Sequence, residues 1–495
     1  MRYLRIAISF LIACALSACD DGAGAGAPSS TPLKLAGNGT YPSVRYTDCP
    51  SEIEQYSSGM RCGFLDTYQN YAETGPDAKI IEIAFGILPA TTTPVEPDPI
   101  VVFFGGPGAS ALSDYARNGA IESYTPNRDF ILVDQRGTGL SKPYLRCENG
   151  TQDRSCIDVF TRHGVDLTQY RSAVIAQDYK VLREALEIDQ WNVYGESYGP
   201  TPGILYADLD PEGVRSVTFD SNSGNQANPA LADAAVFLNI ISELAEQCAA
   251  EPVCAARIPD VRSLYIDTFR SLENEPWNVT IPGENTNGEL LFFILGYVKK
   301  TQYPAVLELI ANRDSETLLQ LISSNSITNN NAAQPLRKGA NLMGAVVQCA
   351  HFNIDNYYTS SLPTVDQWPD DLTDAVRKFV GYVPFCASGV VPIEQDLSQR
   401  EPRLLDVPAL IVGGALDRLV SVSLIRKSVE SFESPLLAIA PKGGHGVGFP
   451  TSNSDPCMRG IIASFIDNPA VAPPMDCLTE NVEPFVFDEE LASEP

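Results

Sequence analysis

One serine in the chain has the surroundings of an activated nucleophile. Gly195-Glu196-Ser197-Tyr198-Gly199 follows a short apolar run and precedes a segment suited to a helix. A Gly-x-Ser-x-Gly pattern between a strand and a helix holds its serine on a sharp turn, where the hydroxyl is accessible. Outside that context the pattern is often only a structural glycine turn. Here the context favours Ser197 as the nucleophile of an acyl-transfer reaction.

A serine hydroxyl needs a base to accept its proton, and the chain contains three histidines. His445 lies in a glycine-rich loop directly after the last predicted strand, whereas His163 precedes the serine in a polar stretch and His351 lies near Cys349. We therefore predict His445 as the base and interpret the other two as structural. Asp417 follows the preceding predicted strand, and its carboxylate would fix the imidazole tautomer.

A glycine-rich segment after an early strand suits the stabilisation of a developing oxyanion. Gly105-Gly106-Pro107-Gly108 stands at that place. Because proline has no N–H, we predict Gly106 as one backbone donor and Tyr198, the residue after the nucleophile, as the other. A tight Gly-Pro turn without a ligand is the alternative interpretation.

Strands and helices must alternate to bring these residues together. The apolar patterns predict a helix at 172–188, another at 202–209, and strands at 79–88, 100–104, 130–133, 193–194, 214–219, 409–413 and 436–440. This alternation predicts a mostly parallel central sheet. It stops after Asp220, and amphipathic stretches at 231–249 and 304–322 predict a largely helical cap domain inserted between two strands of the sheet.

Three motifs taken in order resemble those of a known peptidase family. They are residues 105–108, the segment Asp-Gln-Arg-Gly-Thr-Gly-Leu-Ser at 134–141, and residues 195–199. Together they are similar to the proline iminopeptidase and tripeptidyl aminopeptidase family, and the region from about 404 to 477 resembles the C-terminal region of tripeptidyl aminopeptidases. The resemblance implies an α/β-hydrolase fold and a secreted serine exopeptidase that needs no cofactor. Phe104 departs from the pattern, since many relatives have histidine there.

The resemblance leaves several alternatives open. A carboxylesterase would use the same triad, and a catalytically silent binding protein is disfavoured by the complete triad. Epoxide hydrolases and dehalogenases of this fold use an aspartate where this chain has Ser197. Whether one, two or three residues are released is open, as are the acids that bind the substrate amine. Glu196, Glu243 and Glu246 are candidates for that role, although Glu243 and Glu246 are better interpreted as exposed, solvated carboxylates. Asp134 and Arg136 are interpreted as bracing a loop.

The N-terminus predicts export. Two positive charges precede an apolar run too short to span a bilayer permanently, which indicates a signal peptide at 1–18. The run ends in Leu-Ser-Ala-Cys, which resembles a bacterial lipobox and predicts lipidation of Cys19; an ordinary cleavage site beside a stray cysteine is the alternative. We expect an exported lipoprotein on the periplasmic or cell-surface face of a membrane.

The same patterns divide the chain into five regions. Gly, Ala, Ser and Pro dominate after Cys19 and predict a flexible tether. The expected regions are the signal peptide at 1–18, the tether at 19–40, the first part of the hydrolase core at 41–221, the cap at 222–400 and the second part of the core at 401–495.

Ten cysteines follow Cys19, an even number that favours disulfides in an exported protein. No pair shows metal-ligand spacing, so no metal site is expected. One or two free thiols are the alternative to five bridges between neighbours in the sequence, which would be Cys49–Cys62, Cys147–Cys156, Cys248–Cys254, Cys349–Cys386 and Cys457–Cys477.

The formal charge of −28 makes nucleic-acid binding improbable and limits membrane contact to a lipid anchor. Solubility, a saline habitat and attraction of substrates with free amino groups are all compatible with this charge. The expected partners are peptides with a free N-terminal amine, and the oligomeric state is open.

Overall fold

The protein is described from a computed structural model. Its described residues are 32–54, 59–118, 125–147, 154–222, 224, 229–275, 277, 279–281, 284–286, 298–329, 339–351, 368–372, 386, 401–448, 455–480 and 482–487. The predicted signal peptide and Cys19 lie outside these residues.

A ten-stranded sheet forms the centre of the molecule. In chain order its strands are β1 (Lys34–Leu35), β2 (Ser43–Thr47), β3 (Arg61–Tyr68), β4 (Lys79–Leu88), β5 (Ile100–Phe103), β6 (Phe130–Val133), β7 (Trp191–Glu196), β8 (Val214–Asp220), β11 (Ala409–Gly414) and β12 (Pro435–Ala440). The remaining strands, β9 (Val279–Ile281) and β10 (Glu284–Thr286), form a separate antiparallel pair.

The order across the sheet is β12-β11-β8-β7-β5-β6-β4-β3-β2, and β1 pairs with β4. The six strands from β12 to β6 are parallel to their neighbours, whereas β4, β3 and β2 continue the sheet in antiparallel pairing. Strands β5, β6 and β11 are buried along their whole length, as expected for strands covered on both faces. The predicted mostly parallel sheet is confirmed.

Helices cover the sheet and make up most of the described residues between β8 and β11. They are α1 (Ser51–Glu54), α2 (Ala111–Asn118), α3 (Arg154–Arg162), α4 (Ser172–Ala185), α5 (Pro200–Leu209), α6 (Pro229–Ala250), α7 (Pro252–Arg257), α8 (Val261–Asn274), α9 (Tyr303–Ala311), α10 (Ser315–Asn329), α11 (Asn341–His351), α12 (Val422–Ser428), α13 (Pro456–Asp467) and α14 (Cys477–Glu480).

Because β8 and β11 are neighbours in the sheet, everything between them is an insertion. Helices α6 to α10 carry their own apolar cluster, which includes Leu244, Phe269 and Val306. The amphipathic stretch predicted at 304–322 forms two helices instead of one. Arg313 adopts a positive φ of 55° between them, and Asp314 accepts a hydrogen bond from the Thr317 amide at the start of the second helix.

Three described segments pack differently from the predicted boundaries. Helix α11, expected in the cap, buries Met343 and Val346 against the cluster that surrounds the sheet. Residues 482–487, expected in the core, place Phe485 in the apolar cluster of the cap. Residues 34–35, expected in the tether, pair with β4, and Ala36 beside them is buried. In each case an apolar side chain gains burial that its predicted region does not offer.

The described residues form five disulfide bridges, at the pairings Cys49–Cys62, Cys147–Cys156, Cys248–Cys254, Cys349–Cys386 and Cys457–Cys477. Such a number of disulfides is typical of exported or extracellular proteins. Among the described helices, none is both long and apolar enough to cross a membrane.

Candidate active site

Ser197 lies on a tight turn between β7 and α5. Its φ is 60°, a left-handed conformation that a serine adopts only where surrounding contacts fix it. The Ser197 amide donates to the Asp220 carbonyl at 2.9 Å, and the Gly199 amide donates to the Glu196 carbonyl at 2.7 Å. A β-carbon on Gly199 would collide with the carbonyl oxygen of Phe103, so glycine is required there. The turn is therefore fixed by β8 through the Asp220 carbonyl and by β5 through its close contact with Phe103.

His445 and Asp417 meet at the carboxyl end of the sheet, after β12 and β11. The His445 Nδ1 atom lies 2.8 Å from Asp417 Oδ2 and 3.0 Å from Oδ1. The Asp417 side chain is fully buried and also accepts hydrogen bonds from the amides of Leu419 and Val420, at 2.7 and 2.9 Å. With Nδ1–H donated to the carboxylate, Nε2 is left as the basic nitrogen.

The charges of this pair stabilise each other. Burial favours a neutral Asp417, but the facing imidazole and the backbone donors keep its pKa below the ordinary value. Burial likewise opposes a charged imidazole, yet Asp417, Glu196 and Asp220 together raise the pKa of His445 to about 9. The site is thus arranged to stabilise an imidazolium ion, which forms when a histidine accepts a proton from a nucleophile.

The imidazole faces the turn that carries the serine. His445 Nε2 lies 3.4 Å from Glu196 Oε1, one residue before Ser197. In the part of the chain that the structure describes, Ser197 Oγ makes no hydrogen bond. Catalytic hydrogen bonds of this kind are often long until substrate binds. The structure therefore brings the three predicted triad residues to one place, with Nε2 directed at the nucleophile turn.

The predicted oxyanion donors adjoin the serine. A β-carbon on Gly105 would lie 2.8 Å from Ser197 Cβ, so the loop after β5 lies directly against Ser197. Gly106 has a φ of 114°, accessible mainly to glycine. Among the described residues, the backbone N–H groups of Gly106 and Tyr198 donate to no acceptor. The Tyr198 hydroxyl is anchored on Ser172 Oγ at 2.8 Å.

Asp220 at the end of β8 and the adjoining Ser221, which the sequence did not mark as part of the site, support the histidine loop. Asp220 Oδ2 accepts from the Gly448 amide at 2.8 Å, and the Ser221 hydroxyl accepts from the Gly446 amide at 3.0 Å. Burial is the main cause that raises the pKa of Asp220 to about 6. Burial also raises the pKa of Glu196 to about 7, against the opposing charge of His445. In the sequence, Asp220 could be recognised as a site residue because it follows a predicted buried strand at its carboxyl end.

The other residues singled out in the sequence have different surroundings. Glu243 pairs with Arg426 at 2.8 Å, and Glu246 is exposed. The carbonyl of His163 accepts from the Leu33 amide at 3.0 Å, away from the triad, and the side chain of His351 lies outside the described part.

The loop at 134–141 is braced as expected of a structural motif. Asp134 accepts hydrogen bonds from Ser110 Oγ at 2.8 Å and from the Leu140 amide at 2.7 Å. Arg136 forms a buried ion pair with Asp178, with Nε 2.7 Å from Oδ2. These contacts join the loop after β6 to the start of α2 and to α4, close to the glycine-rich segment at 105–108.

The family described as having the alpha/beta hydrolase fold matches residues 98–450, most of the chain. The chain belongs to the α/β-hydrolase family. This α/β hydrolase is 26% identical over 248 residues to the serine protease Hip1 of Mycobacterium tuberculosis, a match that covers 43% of this chain and 46% of the relative. It is 27% identical over 206 residues to the tripeptidyl aminopeptidase of Streptomyces lividans, covering 36% and 38% of the two chains.

A third relative is the proline iminopeptidase of Heyndrickxia coagulans, 31% identical over 123 residues, covering 25% of this α/β hydrolase and 34% of the relative. The matches thus span less than half the length of each of these relatives. The crystal structure of proline iminopeptidase from Mycobacterium smegmatis shares 15% identity and a TM-score of 0.37, covering 79% of this chain and 95% of that chain. The resemblance to the proline iminopeptidase and tripeptidyl aminopeptidase group is confirmed.

Proposed function

We propose that this α/β hydrolase is an exported aminopeptidase that releases short N-terminal units from peptides through an acyl-enzyme. Ser197 attacks the scissile carbonyl while His445 takes its proton and then delivers it to the leaving amine. Asp417 orients the imidazole and stabilises its charged form. The N–H groups of Gly106 and Tyr198 stabilise the oxyanion. Relatives that bear peptidase names support peptide substrates.

The environment of Glu196 is the observation that carries the aminopeptidase assignment. Its carboxylate is 13% exposed and accepts no hydrogen bond from the described residues apart from its 3.4 Å approach to His445 Nε2. A β-carbon on Gly105 would lie 2.7 Å from Glu196 Oε2 and 2.8 Å from Ser197 Cβ, so this oxygen is close to the nucleophile. A partly desolvated carboxylate whose one charged neighbour is His445 suits a substrate ammonium group, and its position suits the amine of a short N-terminal unit.

The assignment is tested with peptide amides that carry either a free or an acetylated N-terminal amine. An ammonium paired in a partly buried cleft contributes more than the ~0–1 kcal/mol of an exposed pair, so acetylation should lower kcat/KM well over tenfold. Activity should also fall as pH rises through the pKa of the substrate amine, because the neutral amine loses this attraction. E196Q should shrink the preference for free amines, whereas E246Q, at an exposed position, is the matched control.

Equal rates on free and acetylated peptides would remove the aminopeptidase assignment. Rapid hydrolysis of simple esters without an amine would then favour a carboxylesterase that uses the same Ser197. Cleavage of blocked peptides would favour an endopeptidase.

A further inference from the structure

A lysine from the cap lies against the loop that carries His445. Lys300 begins the short 3-10 turn Lys300–Gln302, just before α9. A β-carbon on Gly444 would lie 2.5 Å from Lys300 Cε and 2.9 Å from Lys300 Nζ. The side chain therefore crosses the backbone directly before His445, and it occupies the space that a β-carbon at position 444 would take.

The turn that holds Lys300 is anchored on both sides. Thr301 and Tyr303 are buried, and the Thr301 carbonyl accepts from the Val486 amide at 3.0 Å. The Lys299 amide donates to Gln302 Oε1 at 3.0 Å. The position of Lys300 beside the histidine loop therefore follows from packing of the cap and does not depend on a partner for its ammonium group.

The Lys300 ammonium lies close to charged groups but is not paired with any acid that the structure describes. Among the described residues it forms neither an ion pair nor a hydrogen bond. Burial, together with the nearby Arg418, lowers the pKa of Lys300, and Asp417 opposes this shift. Asp417 forms no ion pair with Lys300; its buried oxygens accept from His445 and from two backbone amides.

The protein has 62 acidic and 34 basic residues, yet none of the described acids forms an ion pair with Lys300. Other cations close to the cap are paired: Lys442 Nζ lies 2.6 Å from Glu251, and Arg426 lies 2.8 Å from Glu243. Arg418, directly after Asp417, is exposed and likewise makes no ion pair with a described residue. Lys300 and Arg418 thus lie near His445 without a paired carboxylate, although the chain has many carboxylates. They can therefore bind an anionic group from outside the protein.

We propose that Lys300, assisted by Arg418, binds a carboxylate of the peptide substrate close to the scissile bond. The carboxylate is either the side chain of an acidic residue or the C-terminus of a short peptide. This inference rests on the proposed peptidase function and adds a substrate class to it. Glu196 would hold the amine and Lys300 the carboxylate, on two sides of His445.

The test uses free-amine peptides in matched pairs. One series exchanges Glu for Gln at each position around the cleavage site, and a second compares a free C-terminal carboxylate with its amide, so the two sources of the carboxylate are distinguished. For wild type we expect kcat/KM to be at least tenfold higher for the charged member in one series. In K300M this ratio should fall to about one, while K300R should keep part of it. R418Q should lower it less, because Arg418 is exposed.

K427M changes an exposed lysine on α12 and is the matched control. A wild-type ratio within twofold of one in both series would overturn the inference. Because this measurement uses only the wild-type protein, it does not depend on whether the variants fold. An equal fall in K427M, or an equal loss by K300M on charged and neutral peptides, would also overturn it. Failure of the aminopeptidase proposal has a different signature, since acetylated peptides would then be cleaved as fast as free ones whatever the Glu-to-Gln ratio.

Discussion

At the scale of single residues, the histidine lies between two carboxylates with different tasks. Asp417 is fully buried, hydrogen-bonded and ionised, so it fixes the ring, whereas Glu196 is partly exposed and has a pKa raised to about 7 by burial. The raised pKa of His445, about 9, means that the basic form becomes more abundant as pH rises. Loss of the substrate ammonium opposes this gain, so the free-amine assay should give a bell-shaped pH profile.

The triad assignment makes a prediction that distinguishes a single proton-transfer unit from independent contributions. S197A and H445A should each lower kcat to a similar floor, because removing either residue abolishes the same step. D417N should retain more activity than either. Turnover of a free-amine peptide measures all three, and binding of an uncleaved analogue verifies that the site is intact. Near wild-type rates in H445A, together with a large loss in H351A, would show that the base is misassigned.

Sequence patterns predict the triad positions because each follows a recognisable strand, but they do not reveal the contacts that support these positions. Asp220 and Ser221 reach the His445 loop from β8, more than two hundred positions earlier in the chain. No local pattern encodes such a contact. Glu196 was named only as one of several acids, and its proximity to His445 Nε2 depends on how the turn at Ser197 folds.

At the scale of secondary structure, the predictable part of the fold is the parallel block. Strands such as β5 and β11 are continuous apolar runs, because both of their faces are buried. Strands β2 and β3 were missed. All but one residue of β2 are exposed, so it carries little apolar alternation, and β3 combines a cysteine, a glycine and an aspartate within eight residues. The two strands pair with each other at the edge of the sheet, and the Cys49–Cys62 bridge joins β3 to the segment after β2.

The buried ion pair between Arg136 and Asp178 joins the loop after β6 to α4, and its removal should be costly. Arg136 also donates to the carbonyls of Gln69 and Gln169, at 2.8 and 2.9 Å. R136M would leave Asp178 buried without its counter-charge, so the free energy of unfolding should fall by about 3–5 kcal/mol. Denaturant unfolding with the disulfides intact measures this loss. R270A, which breaks an exposed pair with Asp371, is the control and should leave stability unchanged.

If R136M unfolds at the same denaturant concentration as wild type, the ion pair is dispensable and the loop is held by Asp134 alone. A loss of similar size in R270A would show that charge removal in general, and not burial, determines stability.

At the scale of the whole molecule, the cap and the core are fastened by contacts between segments that are distant in the chain. Lys442, just before the histidine loop, pairs with Glu251 of the cap, and Phe485 of the C-terminal segment donates its amide to the same carboxylate at 2.8 Å. The disulfides span 6 to 37 positions and therefore stabilise local regions. Such long-range contacts explain why the domain boundaries could not be drawn from composition alone.

The N-terminal segment determines where we expect the molecule to be held in the cell. We propose that Cys19 is lipidated, because Leu-Ser-Ala-Cys follows an apolar run with a basic start. C19S should then release the protein from membranes or block its processing, since a protein without acyl chains keeps no strong hydrophobic anchor. Detergent partitioning of the full-length protein measures this, with C14S, inside the apolar run, as the matched control that should still partition into detergent. If C19S partitions like wild type, the cysteine carries no lipid, and residues 1–18 act only as a cleaved signal.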